Sequence, residues 1–338
     1  MKILLIGGTG TISSAITRQL ADGGHDLWLL NRGNRKSEVP AGVRQVIADI
    51  DDTAEVLRQI DGEQFDAVCE FIGFVPEQVQ RDIRLFSGRT RQYVYISSAS
   101  AYNKPAANHV ITEGTTLANP YWEYSRNKIA CEELLLKAYR DDAFPVTIVR
   151  SSHTYCERGV PVSVHEPKGS WQVLKRMMDG KPVIIHGDGT SLWTLTWNED
   201  FARGFIGLLR NPKAIGEAFQ IMSDEQLSWT QIYQCVADAL GVELKPYYIS
   251  STFLAKAAPK DYDFEGNLLG DKSVTVQFDC TKLKRAVAGF QATTRFHEGV
   301  RRCVAYLKAH PELQQEDPDF DAWCDRVIAA QEQALRSL

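Results

Sequence analysis

A tyrosine and a lysine four positions apart are the residues of this sequence best placed for acid–base chemistry. Tyr124 and Lys128 fall at i and i+4 of a predicted helix, so both side chains project from one face. An ammonium beside the phenol would favour the ionised form, which a tyrosine of ordinary pKa hardly reaches near neutrality. Ser98, at the predicted end of a strand, could donate a hydrogen bond to the same substrate oxygen. These three residues predict a site that moves a proton to or from a hydroxyl group.

A glycine-rich turn near the N-terminus predicts a binding site for a dinucleotide. Gly7 and Gly10 lie between an apolar run at 2–6 and a helical pattern. Gly7 permits the tight turn, Gly10 lets the backbone approach a pyrophosphate, and the helix N-terminus supplies free N–H groups. The turn contributes five residues to the predicted cofactor site, namely Gly7, Thr9, Gly10, Thr11 and Ile12.

The end of the second strand predicts NADP(H) as the cofactor, with NAD(H) as the alternative. No carboxylate stands there to bind the ribose hydroxyls of NAD, and Asn31 and Arg32 follow the strand instead, with Arg35 nearby. A guanidinium can clamp a 2′-phosphate. Asp49, at the end of the third strand, could accept a hydrogen bond from the adenine amino group. The remaining cofactor residues predicted at this edge of the sheet are Ile50, Phe71 and Ile72.

The elements that must position these residues alternate between strand and helix patterns. Predicted strands span 2–6, 26–30, 44–48, 66–71, 92–97 and 145–150, with helical spacing between them. This alternation predicts an α/β protein with a doubly wound parallel sheet, the Rossmann fold. After Arg150 the pattern breaks, which predicts a smaller, interleaved C-terminal substrate region. The predicted domains are 1–155 with 193–225 for the dinucleotide and 156–192 with 226–338 for the substrate.

Composition and charge exclude several classes of protein. The 338 residues are 44% hydrophobic and 24% charged, which is typical of a globular chain. The net charge of −5 gives no overall attraction to nucleic acid or to anionic lipid. Seven scattered cysteines without a Cys-x-x-Cys motif predict neither disulfides nor a metal site. The short apolar start and the absence of a run of about 18 apolar residues predict a cytoplasmic protein with no membrane partner.

The motifs together resemble the extended short-chain dehydrogenase/reductase superfamily, specifically its NAD-dependent epimerase/dehydratase family. The resemblance covers nearly the whole chain and rests on the segments 7–12, 96–102, 119–128, 185–189 and 279–283. It implies that Tyr124 is the general acid/base, that Lys128 lowers its pKa and holds the nicotinamide ribose, and that Ser98 polarises the carbonyl. It is also consistent with a homodimer.

Two departures from the family's pattern bear on the reaction. Dehydratases of this family use an Asp–Glu pair directly after the serine, where this sequence has Ala99 and Ser100. Members that act on nucleotide sugars usually carry an arginine shortly before the aspartate matched by Asp200, and the segment 192–200 has no basic residue. The departures favour hydride transfer to or from a small, weakly charged alcohol or ketone, with an unactivated sugar derivative as one candidate.

Two alternative functions stay open at this point. One is a sugar or nucleotide-sugar epimerase that uses a captive NAD, and the other is a nucleotide-sensing or RNA-binding protein. Ligands of this fold gather at the carboxyl ends of the strands. The predicted substrate residues near that edge are Ser100, Tyr102, His153 and Trp193.

Overall fold

A parallel sheet forms the centre of the protein. The computed structural model describes residues 1–33 and 39–338. Within these ranges the sheet has seven parallel strands, namely β1 (Lys2–Ile6), β2 (Asp26–Asn31), β3 (Arg44–Ile47), β4 (Ala67–Glu70), β5 (Tyr93–Ser98), β6 (Val146–Ser151) and β7 (Ala218–Ile221). They lie side by side in the order β7-β6-β5-β4-β1-β2-β3. The predicted doubly wound sheet is confirmed, and the first six strands agree with their predicted bounds to within one residue.

Helices cover both faces of the sheet because its strands are apolar on both faces. Leu4 and Ile6 of β1 belong to one buried apolar layer, and Ile3 and Leu5 belong to the other. The helices are α1 (Ser13–Asp22), α2 (Thr53–Gln59), α3 (Pro76–Phe86), α4 (Glu123–Asp142), α5 (Trp171–Met178), α6 (Asn198–Leu208), α7 (Trp229–Leu240), α8 (Ser251–Ala257), α9 (Thr281–Ala286), α10 (Phe296–Ala309) and α11 (Pro318–Arg336). Residues of α2, α3 and α4 line the first layer, whereas α1 and α6 line the second.

A second region is built from short strand pairs and a third apolar cluster. The chain leaves the sheet after β6 and returns to it for β7, so this region is interleaved with the first. Its cluster includes Trp193, Trp229 and Phe264. The strand pairs are Leu192–Trp193 with Leu227–Ser228, His153–Tyr155 with Leu195–Trp197, Val183–His186 with Pro246–Ile249, and Val110–Ile111 with Gln277–Phe278. The domain boundaries given above stay a prediction.

The segment between α8 and the strand Gln277–Phe278 contains a wide helix. It spans Glu265–Lys272 and has the i to i+5 hydrogen bonding of a π-helix, which is rare and often found at functional sites. Within residues 1–33 and 39–338, no helix combines the length and apolar character that a membrane crossing needs.

Candidate active site

A cleft of about 870 Å³ opens at the carboxyl ends of β1, β2 and β4. Parallel strands end at one edge of a sheet, so loops that are distant in sequence meet there. Eleven of the twelve predicted cofactor residues line the cleft, namely Gly7, Thr9, Gly10, Thr11, Ile12, Asn31, Arg32, Asp49, Ile50, Phe71 and Ile72. The twelfth, Lys128, contacts two residues of its wall, Phe74 and Ile96.

The glycine turn has little room for side chains, and hydrogen bonds from side chains of α1 stabilise its backbone. Gly7 has φ +83, and a Cβ there would lie 2.6 Å from Cγ2 of Ile72. The Ser13 hydroxyl donates to the Gly7 carbonyl at 2.7 Å and accepts from the Gly10 N–H at 2.9 Å. Thr17 donates to the Gly8 carbonyl at 2.7 Å. A bare backbone turn at the start of α1 fits the pyrophosphate of a dinucleotide, because its N–H groups can bind an anion and a side chain at Gly7 would displace Ile72 in the cleft wall.

The adenosine end of the cleft contains the predicted polar residues. Asn31 is half-buried, and its side-chain oxygen accepts from the Gly33 N–H at 2.9 Å. Arg32 is exposed at the cleft wall. Asp49 is also exposed and accepts from the Asp51 N–H at 3.1 Å. Arg35 lies outside the residues that the structure describes.

Helix α4 brings Tyr124 and Lys128 to the end of β5. Asn119 fixes the start of this helix, because its side-chain oxygen accepts from the N–H groups of Tyr121 and Trp122, each at 3.1 Å. Tyr124 then lies in the first turn, with its hydroxyl within hydrogen-bonding reach of Ser98. The Lys128 Nζ lies 5.8 Å from the centre of the Tyr124 ring. The structure therefore brings the three predicted catalytic residues together.

The tyrosine differs from the expectation in its protonation. Burial raises the pKa of Tyr124, and although the hydrogen bond from Ser98 lowers that pKa, the net direction is upward. The expected lowering by Lys128 is not found, because the ammonium is directed at two carbonyl groups instead of the phenol. Near neutral pH Tyr124 is consequently a protonated phenol, which is the form of a general acid.

Lys128 is held between backbone carbonyls. Its Nζ donates to the carbonyls of Gly73 and Ile96, each at 2.7 Å. An ammonium has three N–H donors, so one has no acceptor among the described residues. Burial lowers the pKa of Lys128 to about 8. The residue can thus hold a ligand hydroxyl with its third N–H and changes charge close to physiological pH.

A chain of serine hydroxyls extends from the catalytic residues into the protein. Ser98 Oγ lies 2.9 Å from Ser100 Oγ, and Ser125 donates to Ser100 at 2.7 Å. Ser100 is 2% exposed. Its side chain therefore orients Ser98, and its predicted contact with the substrate stays a prediction.

The other predicted substrate residues have different surroundings. Tyr102 is 1% exposed, and its hydroxyl donates to Gln220 at 3.0 Å and accepts from Arg150 at 3.2 Å. The structure does not bring it to the site, because this network with Arg150 occupies the hydroxyl. His153 is half-buried, and burial lowers its pKa to about 3, so its imidazole is neutral. Trp193 is buried, and its indole N–H has no acceptor among the described residues.

Two residues that shape the site were not assigned a role from the sequence. Ser13 replaces the third glycine of the turn, and its hydroxyl joins Gly7 to Gly10. Asn119 lies inside a segment that carries the family resemblance, and its amide also donates to the Ser100 and Gly270 carbonyls at 2.8 and 2.7 Å. A serine and an asparagine at turn positions give a signal for local hydrogen bonding, but not for its partners. Within the described ranges no group of three His, Cys, Asp or Glu side chains could hold a metal ion.

Comparisons with known proteins give a family match and several sequence relatives. The model of the NAD dependent epimerase/dehydratase family matches residues 3–221. A 2'-dehydrokanamycin reductase from Streptomyces kanamyceticus is 27% identical over 256 residues, which are 76% of this chain and 71% of that protein. The chloroplast stem-loop binding protein of 41 kDa b from Arabidopsis thaliana is 25% identical over 276 residues, 78% of this chain and 68% of that protein.

Solved structures share the fold over most of the chain. The UDP-glucuronic acid 4-epimerase from Bacillus cereus in complex with NAD matches with a TM-score of 0.70 at 18% identity. The match covers 96% of this chain and 99% of that protein. At this identity the likeness shows the fold alone.

Proposed function

Because the chain belongs to the NAD dependent epimerase/dehydratase family, we propose that it is an oxidoreductase that interconverts a ketone and an alcohol on a small, sugar-like substrate. One observation carries the proposal: Ser98, Tyr124 and Lys128 meet beside the cleft that the glycine turn lines. A general acid, a hydrogen-bond donor and a buried ammonium are the groups that such a reaction needs at the substrate oxygen and the ribose.

The residues of the chain divide the proton chemistry between them. A nicotinamide bound in the cleft supplies or accepts the hydride. Ser98 donates a hydrogen bond to the substrate carbonyl oxygen, and Tyr124 gives that oxygen its proton, which turns the ketone into an alcohol. The raised pKa of Tyr124 keeps the phenol protonated and so favours the direction of reduction. Lys128, held by the carbonyls of Gly73 and Ile96, donates its third N–H to a cofactor hydroxyl.

The surroundings of Ser98 favour this reaction over dehydration. Elimination of water needs an acid and a base beside the serine. Ala99 is buried and apolar, and the Ser100 hydroxyl is occupied by Ser98 and Ser125. The similarity to a reductase over 76% of this chain also supports reduction. Epimerisation on a captive NAD is the alternative, and a cofactor that stays bound through purification would favour it.

The cofactor is proposed to be a nicotinamide dinucleotide. Whether NADP(H) or NAD(H) is preferred depends on the residues after β2, which would contact a 2′-phosphate. The exposed Arg32 favours NADP(H), whereas a solved structure with the same fold holds NAD. A role in RNA binding is less well supported, although one relative is named a stem-loop binding protein, because the chain has a net charge of −5.

Substitution of the tyrosine tests the proposal. Tyr124→Phe should retain the fold and the affinity for cofactor but lose turnover by about 10² or more, the usual contribution of a general acid. Turnover is followed by the absorbance of the reduced nicotinamide with a panel of neutral sugars, amino sugars and UDP-sugars. Tyr121→Phe is the matched control, because it removes an exposed phenol hydroxyl just before α4. Turnover of Tyr124→Phe at the rate of the unmodified protein would refute the mechanism.

A further inference from the structure

The wide helix Glu265–Lys272 brings a carboxylate to the catalytic residues. A Cβ at Gly270 would lie 3.1 Å from the Trp122 Cβ and 3.3 Å from the Tyr121 Cβ, so the helix packs directly on the turn before α4. Asn119 connects the wide helix to the end of β5, since its side-chain amide donates to the carbonyls of both Gly270 and Ser100. Asp271, the next residue along the chain, is close enough for its charge to act on Tyr124.

Asp271 has a buried lysine as its partner. The Lys104 side chain is 1% exposed, and its Nζ lies 3.8 Å from the Asp271 carboxylate and 5.5 Å from the centre of the Trp193 ring. Neither this ammonium nor the Trp193 indole N–H has a hydrogen-bond acceptor among the described residues. A buried donor without an acceptor is costly, so this group of side chains indicates a missing polar partner.

The separation between the two charges suits an inserted hydroxyl group. A distance of 3.8 Å is too long for a direct hydrogen bond. One oxygen can nevertheless accept from Lys104 and donate to Asp271 at the same time, since the three atoms then form a triangle. The Asp271 side chain is 14% exposed, whereas the Lys104 side chain is almost inaccessible to solvent. Lys272, the other ammonium here, is buried and hydrogen-bonded to Asn267. A ligand therefore meets the carboxylate first.

We propose that Asp271 is the residue that selects the substrate, by accepting a hydrogen bond from a hydroxyl group of a sugar whose reacting carbon lies at Tyr124. Lys104 donates a hydrogen bond to the oxygen of the same hydroxyl group. The proposal rests on the proposed function, because it places a sugar-like molecule beside Tyr124. It predicts that neutral and amino sugars are preferred over sugars that carry a carboxylate.

Three matched probes test the proposal, namely D-glucose, D-glucosamine and D-glucuronate. Their affinities for the full-length protein loaded with oxidised cofactor are measured by calorimetry or ligand-observed NMR. Asp271→Asn should weaken D-glucose and D-glucosamine alike by about tenfold or more, the scale of a hydrogen bond to a charged group. D-glucuronate should bind as well as before or more tightly. An equal loss for D-glucose and D-glucosamine identifies a hydroxyl as the recognised group, whereas a loss confined to D-glucosamine would show recognition of its ammonium and would contradict the bridging hydroxyl.

Two further variants separate recognition from damage to the fold. Glu265→Gln removes an exposed carboxylate from the same helix and should change none of the affinities. Lys104→Met leaves Asp271 without its positive partner, so it should raise the preference for D-glucosamine over D-glucuronate, opposite to Asp271→Asn. Loss of structure is not expected to change the preference between D-glucosamine and D-glucuronate in opposite directions in the two variants. If Asp271→Asn does not fold, the direction of the change in Lys104→Met can still be measured.

Several results would overturn the assignment. They are unchanged affinities in Asp271→Asn, an equal loss for all three sugars, a Lys104→Met shift in the same direction, or no binding of any probe to the unmodified protein. Tyr124→Phe keeps this test separate from that of the proposed function. If Tyr124→Phe binds the probes but has lost turnover, any failure in the binding series belongs to Asp271. If Tyr124→Phe turns over normally, it is the catalytic proposal that fails.

Discussion

Replacement of Gly7 by alanine should affect cofactor binding more than stability, and the structure gives the size of both effects. Gly7 has φ +83, a conformation that costs a residue with a Cβ about 1 to 2 kcal/mol. The new methyl group would also lie 2.6 Å from Cγ2 of Ile72, closer than real carbon contacts allow. Ile72 is 37% exposed and lines the cleft, so it can move, but it moves into the space meant for the cofactor.

Gly24→Ala separates the two costs. Gly24 follows α1 with φ +69, and a Cβ there meets nothing within 4 Å. This variant should lose only the backbone cost of about 1 to 2 kcal/mol of unfolding free energy and should bind cofactor normally. Gly7→Ala should lose that amount plus part of the roughly 1 to 3 kcal/mol of overpacking. Its affinity for the cofactor should fall by at least about tenfold, which is 1.4 kcal/mol.

Shortening of the Ile72 side chain should remove the cost of its clash with the new methyl group at residue 7. In Gly7→Ala with Ile72→Ala, the nearest remaining atom of residue 72 is its Cβ at 3.6 Å, an ordinary contact. The unmodified protein, Gly7→Ala, Ile72→Ala and the double variant form a double-mutant cycle. Chemical denaturation and cofactor titration of these four proteins should give a coupling free energy of about 0.5 to 3 kcal/mol. If Ile72→Ala restores no affinity in the Gly7→Ala background, the contact between the two side chains is not what the turn must avoid.

Three further predictions concern other parts of the molecule. Arg32→Ala should weaken the binding of NADP(H) by about 1.5 to 3 kcal/mol more than that of NAD(H), because only NADP(H) has a 2′-phosphate for Arg32 to contact. Equal losses of affinity for the two cofactors in a titration would show that Arg32 does not contact the phosphate. The kcat/KM for reduction should fall as the pH rises through about 8, where Lys128 loses its proton. Lys128→Arg should lack this fall. If the pH profile of Lys128→Arg were the same as that of the unmodified protein, the fall would not come from Lys128. Glu132→Gln leaves Arg150 buried without its bidentate partner at 2.6 and 3.0 Å, and should lower the free energy of unfolding in denaturant by about 3 kcal/mol or more.

The sequence predicts the sheet well because its strands are buried on both faces. An apolar run between turn residues is a clear signal, and each of the first six strands agrees with its prediction to within one residue. The catalytic residues are equally accessible to prediction, since Tyr124 and Lys128 share one helix and Ser98 ends one strand. These are local relationships, and local spacing encodes them.

Relationships between distant segments could not be predicted in this way. Asp271 is 167 residues from Lys104 in the sequence, and no periodic pattern joins them. Tyr102 follows the strand in the expected manner, yet Arg150 and Gln220 occupy its hydroxyl through contacts that only the fold creates. The pKa of Tyr124 is raised by burial, and Lys128, which the i and i+4 spacing suggested would lower it, does not do so.

The hydroxyl of Ser13 also has a consequence for the kinetics of cofactor binding. It spans the glycine turn from Gly7 to Gly10, and Thr17 holds Gly8 from the same helix. Little chain entropy is therefore lost when a dinucleotide arrives, because the loop is ordered in advance. Binding should follow a single fast phase whose rate increases linearly with cofactor concentration, without a slow ordering step. Ser13→Gly would remove both hydrogen bonds, and we expect it to slow association while leaving the contacts of the bound state in place.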